Sequence, residues 1–199
     1  RIGKRSRRDV QEFGLKLMAN IIALHRDLAL KKYAHAPYRA FKIADPKPRD
    51  IHKASVCDRI LHRALYRKLY RLFDRTFIAD SFSCRIGKGT HLAMDRFQIF
   101  ARKESHNHTR TAWVLKCDVR KFFASIDNEI LFGIVSRRVA DADILWLIQR
   151  IVGSFNSGKE GIGLPLGNLT SQLLANVYMN ELDFCMTARA VIIGKMLMR

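Results

Sequence analysis

The sequence feature that most constrains the fold is the stretch of residues 112–128, which reads Ala-Trp-Val-Leu-Lys-Cys-Asp-Val-Arg-Lys-Phe-Phe-Ala-Ser-Ile-Asp-Asn. The apolar run at residues 112–115 predicts a buried strand that delivers the carboxylate of Asp118 at its end. A lone acid at the end of a buried strand is costly unless it is paired. One solution is a divalent metal brought by a phosphate-bearing substrate. The alternative is an Asp that caps a turn or pairs with Lys116 or Arg120.

The positive charge is concentrated in the first half of the chain. The formal net charge is +18. Residues 1–110 hold 26 Lys and Arg against 10 Asp and Glu, whereas residues 111–199 hold 10 against 8. A polyanion such as RNA would bind the first half by neutralising phosphates and releasing counterions. A basic protein with a solvated charged face is the alternative, and the size of the excess favours nucleic acid.

Cysteine usage and hydropathy predict a cytoplasmic protein. The four cysteines are widely spaced and form no CxxC pair, which predicts reduced thiols rather than a zinc site. No run of about 18 apolar residues occurs, so no membrane span is predicted. The chain begins with Arg1 and lacks an initiator Met and an apolar signal core, so we expect a fragment of a larger product.

Apolar residues recur at helical spacing over much of the chain. Alternation around a turn at residues 45–48 predicts a hairpin over residues 38–54, with largely cationic outward side chains. Thr90 is expected to cap a helix, and Pro165 with Gly167 to fix a tight turn before the last helix. The predicted helices cover residues 8–33, 57–76, 91–104, 127–139 and 141–152, and a further one begins near residues 168–170.

Four blocks, taken in order, resemble the reverse transcriptases. The first two blocks are Arg49-Asp50-Ile51 with Cys57-Asp58-Arg59-Ile60-Leu61-His62-Arg63-Ala64-Leu65, and Phe82-Ser83-Cys84-Arg85-Ile86-Gly87-Lys88-Gly89-Thr90-His91. The other two are Lys116-Cys117-Asp118-Val119 through Phe122-Phe123 and Ile126-Asp127, and Gly163-Leu164-Pro165-Leu166-Gly167 through Ser171-Gln172. Their order over roughly residues 38–183 makes the resemblance specific, because no single block would suffice.

The fourth block separates subfamilies. Most bacterial reverse transcriptases, including those of group II introns, read Gln-Gly and then Ser-Pro where this chain has Leu166-Gly167 and Ser171-Gln172. The pattern here is similar to the reverse transcriptases of diversity-generating retroelements. In those enzymes an aliphatic residue replaces the Gln that contacts the template, and copying at template adenines is error-prone. A Gln amide positions a nucleotide by hydrogen bonds, whereas Leu166 offers only apolar contact.

The resemblance implies roles in catalysis for three residues. Asp118 would ligate Mg²⁺, or Mn²⁺ in its place, and the main-chain carbonyl of Val119 would help. Phe123 would lie under the incoming sugar and exclude a 2′-hydroxyl.

The other candidate residues are implied to bind nucleotide or nucleic acid. In the nucleotide site, two arginines would hold the triphosphate of a dNTP and three further residues would line the nascent base pair: Arg49 and Arg59, then Leu166, Gly167 and Gln172. The residues expected to contact nucleic acid are Arg63, Arg85 and Lys88. The implied partners are an RNA template, an RNA/DNA hybrid and a basic accessory protein.

The implied fold is α+β, a right-hand polymerase with fingers and a partial palm and without a thumb. Residues 1–110 would form basic, mostly helical fingers and residues 111–183 a partial palm, whereas residues 184–199 look truncated or frame-shifted. The second palm motif of the family, Tyr-x-Asp-Asp, is missing after the helix at residues 168–183. Because several carboxylates hold the two metals of a polymerase, we expect an RNA-directed DNA polymerase whose fragment is inactive alone. The alternative is a non-catalytic, RNA-binding remnant of such an enzyme.

Overall fold

A computed structural model describes residues 6–44 and 48–188 of the protein. It mixes helices with one two-stranded antiparallel sheet, which agrees with the α+β expectation at that level, whereas the division into fingers and palm stays a prediction. The first part contains α1 (Arg8–Leu15), α2 (Leu17–Ala29), β1 (Arg39–Ala44), β2 (Pro48–Lys53), α3 (Val56–Phe73) and a 3-10 turn (Asp74–Thr76). The second part contains α4 (Thr90–Glu104), α5 (Phe122–Ser125), α6 (Asn128–Ser136), α7 (Ala142–Val152) and α8 (Leu169–Ala188).

The core forms where α3 packs against α8, and α6 and α7 complete it. Apolar residues of α3 four positions apart share one face because the helix repeats every 3.6 residues. That face carries Leu61, Leu65, Leu69 and Phe73, which are all buried. The main partners from the other helices are Leu173, Leu174 and Val177 of α8, Leu131 and Val135 of α6, and Ile148 and Ile151 of α7. Among the helices of the described residues, none is both long and apolar enough to cross a membrane.

The predicted hairpin is present, and its register pairs Arg39 with Lys53 and Ala44 with Pro48. Residues 45–47 of its turn lie outside the described residues. The long helix expected at residues 8–33 is instead two helices that break at Lys16, whose φ of −120° is not helical. The tail expected to lack pattern from residue 184 is helical as far as Ala188, and residues 189–199 lie outside the described part of the chain.

Two local predictions are wrong. Thr90 does not cap α4, because Gly89 occupies the capping position and no side chain accepts a hydrogen bond there. Residues 112–115 do not form a buried strand: the segment is irregular, Trp113 is 94% exposed and Leu115 is 62% exposed. A strand is stable only when its backbone pairs with a neighbour, and the described residues form one sheet, the β1–β2 hairpin.

A buried carboxylate anchors the start of α3. Asp58 is only 2% exposed, and it accepts hydrogen bonds from the Tyr33 hydroxyl at 2.7 Å and the Ser55 hydroxyl at 2.6 Å. The Ser55 hydroxyl also accepts from the Asp58 amide at 3.1 Å and so caps the helix. Burial and the neighbouring Asp58 raise the pKa of the Tyr33 hydroxyl, which therefore stays a donor. The network satisfies an acid that would otherwise be costly to bury.

A chain of two imidazoles connects this region to α8. Nδ1 of His35 lies 2.6 Å from the carbonyl oxygen of Ala36, so the proton of that ring is on Nδ1. With both rings neutral, Nε2 of His62 donates to Nε2 of His35, 3.0 Å away. The Thr170 hydroxyl in turn donates to Nδ1 of His62 at 2.7 Å. Every hydrogen bond of the chain is made when both rings are neutral.

We therefore expect stability to fall with acidification. Burial, and secondly the adjacent His35, lower the pKa of His62 from 6.5 to about 4, although the nearby Asp58 opposes this shift. Below pH 6.5 the unfolded chain gains a proton that the folded chain does not bind, so the free energy of unfolding falls as the pH drops toward 4. The loss should reach about 3 kcal/mol, at about 1.4 kcal/mol per pH unit. Urea denaturation at a series of pH values measures it.

The test variant is His62→Gln. The control is His91→Gln, because His91 is exposed on α4. We expect His62→Gln to flatten the slope of unfolding free energy against pH between pH 6.5 and 4. His91→Gln should leave that slope as in the wild type. Equal slopes in the wild type and His62→Gln would show that His62 does not stay neutral in the folded protein.

Candidate nucleotide and nucleic-acid site

The loop of residues 161–168 is held against the segment that follows Asp118. The amide of Leu164 donates to the carbonyl of Phe123 at 2.7 Å, and the amide of Gly163 donates to the carbonyl of Ile126 at 2.7 Å. Asp127 and Ile162 form an isolated antiparallel bridge. The third and fourth sequence blocks are therefore joined through their backbones.

The other end of the same loop is bonded to β2, which belongs to the first sequence block. The amide of His52 donates to the carbonyl of Leu166 at 3.0 Å. The side-chain amide of Asn168 donates to the carbonyl of His52 at 3.1 Å. Segments that lie more than 100 residues apart in the chain thus meet at one loop. His52 and Asn168 were not among the predicted site residues, because their contribution is made through backbone atoms and one side-chain amide.

Gly167 permits this close approach. Its φ is +100°, and a Cβ atom at this position would lie 2.8 Å from Cγ2 of Ile51 on β2. A side chain would therefore be strained and would push β2 away from the loop. Gly163 is similarly restricted, since its φ is +106° and a Cβ atom would lie 2.7 Å from Oγ of Ser157. These two glycines are needed for the loop to pack against Ile51 and Ser157, a role that the sequence pattern alone could not separate from contact with a ligand.

Asp118 and Val119 lie on the irregular, exposed segment before α5. The α5 turn itself is anchored by Phe122, which is buried and meets the half-buried Phe123 edge-on at 5.8 Å. Among the described residues no group of three His, Cys, Asp or Glu side chains could hold a metal ion. The residues present therefore do not fit a complete divalent-metal site, and metal binding at Asp118 stays a prediction.

The two arginines predicted to hold a triphosphate have different surroundings. Arg49 is half-buried on β2, opposite Ile43 in the hairpin register. Arg59 on α3 is bonded to Asp9 at 2.9 Å, and Lys53 donates to the same carboxylate oxygen at 2.6 Å. The hydrogen bond from Lys53 is the main reason that the pKa of Asp9 lies below its usual value. Asp9 therefore occupies the position of an anion between two cations, and nothing in its sequence context predicted this.

Arg85 stabilises the turn that follows α3. Its side chain is 8% exposed, and its guanidinium forms an ion pair with Asp74 at 2.9 Å. It also donates to the carbonyls of Asp74, Ile78 and Ser81. Its donors are thus directed at the protein, and contact with nucleic acid stays a prediction that would require some of these bonds to break.

The remaining predicted residues are more accessible. Lys88 donates to the carbonyl of Ala79 and lies 5.0 Å from the Phe82 ring, and burial, followed by the charge of Arg85, lowers its pKa. Arg63 is exposed on α3. Gln172 is half-buried in the first turn of α8, and its amide donates to the carbonyl of Asn168 at 3.2 Å.

Comparisons with known proteins give distant relatives. No protein-family model matches the chain. It is 26% identical over 177 residues to the protein YkfC of Escherichia coli (strain K12), covering 84% of this chain and 45% of YkfC. It is 25% identical over 159 residues to the group II intron-encoded protein LtrA of Lactococcus lactis subsp. cremoris, covering 76% of this chain and 25% of LtrA. The chain therefore spans less than half the length of these relatives.

Solved structures are also similar in part. A chain of the partial Cas6-RT-Cas1–Cas2 complex matches 86% of this chain and 30% of its own length. The TM-score is 0.47 and the sequence identity is 18%, and a likeness of this size supports no functional conclusion.

Removal of the Asp9 carboxylate should strengthen RNA binding. Asp9→Asn frees Lys53 and Arg59 for phosphates, so the slope of log affinity against log salt should steepen by about 1.4, at roughly 0.7 per contact on a single strand. Fluorescence anisotropy with a labelled single-stranded RNA across a salt series measures this slope.

The matched control is Glu104→Gln, which makes the same change in net charge at an exposed position on α4. It should change the slope much less, because the described ion pairs do not involve Glu104. If Asp9→Asn and Glu104→Gln gave the same slope of log affinity against log salt, Lys53 and Arg59 would not contact RNA phosphates after the loss of the Asp9 carboxylate.

Proposed function

We propose that this chain forms the fingers and the first part of the palm of a reverse transcriptase, an RNA-directed DNA polymerase that copies an RNA template into cDNA. The observation that carries the proposal is the loop of residues 161–168, which joins β2 and the segment after Asp118 by backbone hydrogen bonds. Three of the four sequence blocks that resemble the family therefore share one region. The group II intron-encoded relative supports a reverse transcriptase at the level of the family.

In this proposal the loop and β2 form the nucleotide site. Leu166, Gly167 and Gln172 line the nascent base pair, and Phe123 lies under the incoming sugar. Gly167 allows β2 to approach the loop, because a Cβ atom at this position would collide with Ile51. Arg49 lies two residues before Ile51 on the same strand, and in this proposal it holds the triphosphate.

Leu166 is the residue that we propose sets fidelity. Its carbonyl is fixed by the amide of His52, while its side chain is half-buried and has no hydrogen-bonding group. An apolar side chain next to a template base cannot report base geometry by hydrogen bonds. The chain is thus proposed to belong with the error-prone enzymes of diversity-generating retroelements.

The basic part of the chain would bind the template and the RNA/DNA hybrid. Its charge favours a phosphate backbone without reading sequence. A divalent metal bound when the whole protein is assembled would stabilise charge on the attacking and leaving oxygens. Asp118 is the carboxylate that this chain contributes, and further ligands would have to come from residues other than those described.

A second candidate is a non-catalytic RNA-binding protein derived from a reverse transcriptase. The observation in its favour is that Asp118 is exposed and that the described residues contain no group of three metal ligands. Under this reading the basic surface is retained, whereas nucleotide incorporation is lost.

Primer extension on an RNA template in magnesium buffer separates the two. We expect no extension by residues 1–199 alone, and extension by a longer protein that carries a Tyr-x-Asp-Asp motif after α8. In that longer protein Asp118→Ala should abolish synthesis, whereas Asp95→Ala, at an exposed acid on α4, should not. Leu166→Gln should lower misincorporation opposite template adenines by about fivefold, the value of one hydrogen bond of about 1 kcal/mol.

Two outcomes would contradict the proposal. Extension by the longer protein that survives Asp118→Ala would remove this residue from the chemistry. Extension by residues 1–199 alone that is lost on Asp118→Ala would show that the chain needs no second motif.

A further inference from the structure

Four arginines follow one another at four-residue intervals on the outer surface of α3 and the turn after it. We call them the arginine ladder: Arg63, Arg67, Arg71 and Arg75. All four are exposed. Residues four apart on a helix form a continuous row, inclined by about 26° to the helix axis, with a rise of about 6 Å per step. Arg59 continues the row by sequence, but its guanidinium is bonded to Asp9.

The arginine ladder faces away from the candidate nucleotide site. The opposite face of α3 is buried through Leu61, Leu65 and Leu69 and packs against α8. His62, also on the buried side, is hydrogen-bonded to Thr170 in the first turn of α8. Because α8 begins directly after the loop of residues 161–168, the nucleotide site and the ladder lie on different sides of α3.

No acid of α3 neutralises the ladder. Like charges at i and i+4 destabilise a helix, and the ladder contains three such pairs in succession. Asp58 is buried and bonded to Tyr33 and Ser55, whereas Asp74, three residues after Arg71, is paired with Arg85 at 2.9 Å. The row therefore weakens the isolated helix, and a polyanion along it would remove the repulsion.

The dimensions of the row suit one strand of a nucleic acid. Twelve residues of helix rise by about 18 Å, and one strand of a duplex carries a phosphate about every 3.4 Å along its axis. Four guanidinium groups therefore face roughly five phosphates. Lys68 is exposed beside the row and adds to the positive field. Arginine forms bidentate hydrogen bonds with phosphate, whereas a surface that only faces solvent has no need of this geometry.

We propose that the arginine ladder is a second RNA-binding surface, which holds the phosphate backbone of RNA outside the strand being copied. It deepens the proposed function and rests on it for the identity of the polyanion as RNA. The contact reads the backbone and not the bases, so it has little sequence preference. Its role is to keep a long template attached while the nucleotide site moves along it.

The test compares two quadruple variants of the full chain. The ladder variant replaces Arg63, Arg67, Arg71 and Arg75 by Gln, which retains helix propensity. The control variant removes the same charge from exposed positions elsewhere: Lys32, Arg102, Lys103 and Arg138, each to Gln. The probe is a fluorescein-labelled, 20-nucleotide oligouridine RNA, titrated at a series of salt concentrations.

For the ladder variant we expect the slope of log affinity against log salt to fall in magnitude by about 2.8, at roughly 0.7 per lost contact. The control variant should lose less than half of that amount. The ladder variant should also melt at or above the wild-type temperature, because repulsion between like charges is removed. Equal losses of slope in the two variants, or a lower melting temperature for the ladder variant, would overturn the proposal.

Primer extension by the longer protein distinguishes the ladder from the proposed function. With a template that extends only a few nucleotides beyond the primed region, a variant that keeps Arg63 and carries Arg67→Gln, Arg71→Gln and Arg75→Gln should extend at the wild-type rate. With a template that has a long unprimed flank, it should dissociate earlier and give shorter products. Product lengths equal to those of the wild type on both templates would contradict the ladder proposal. An absence of extension by the wild type would contradict the polymerase assignment, while the binding titration would still decide the ladder.

Discussion

The structure around the candidate site depends on backbone hydrogen bonds made by one loop, residues 161–168. A buried amide or carbonyl without a partner is costly, so each bond between this loop and its neighbours fixes a position in both segments. The loop holds the turn after Asp118 at Phe123 and Ile126, and it holds β2 at His52. Since α8 starts at its end and packs on α3, the same loop also sets how the helical core meets the site. Glycine is required where φ is positive and β2 comes closest, at Gly167.

The positive charge of the chain is divided between structural and accessible cations. Arg85 is directed into the protein by Asp74 and three carbonyls, whereas Arg59 and Lys53 share Asp9 at the edge of the site. The arginine ladder has no such partner acid on α3. A net charge of +18 therefore describes several different environments, and only the accessible part can contribute to the salt dependence of RNA binding.

The sequence alone was sufficient to predict those elements that depend on residues close together in the chain. Apolar spacing predicted α3, and the turn residues between β1 and β2 predicted the hairpin, because both patterns act over a few residues. The prediction of a strand at residues 112–115 was wrong, because a strand requires a partner strand from elsewhere in the chain. For the loop of residues 161–168 the sequence predicted only a tight turn at Pro165 and Gly167, because the bonds of this loop to His52 and Phe123 cross long stretches of sequence. Arg85 and Lys88 look alike as sequence, and only the position of Asp74 shows that Arg85 is structural.

The measurement that most directly tests whether the loop of residues 161–168 joins the three segments is amide hydrogen exchange, residue by residue, in the full chain. The amides of His52, Gly163 and Leu164 donate to Leu166, Ile126 and Phe123, so they should exchange slowly and with a common opening free energy, as one cooperative unit. The amides of residues 111–119, which are exposed and irregular, should exchange at rates close to those of an unstructured peptide. If the amides of His52 and Leu164 exchanged as fast as those of residues 111–119, the loop would not join the three segments and the candidate site would not exist as described.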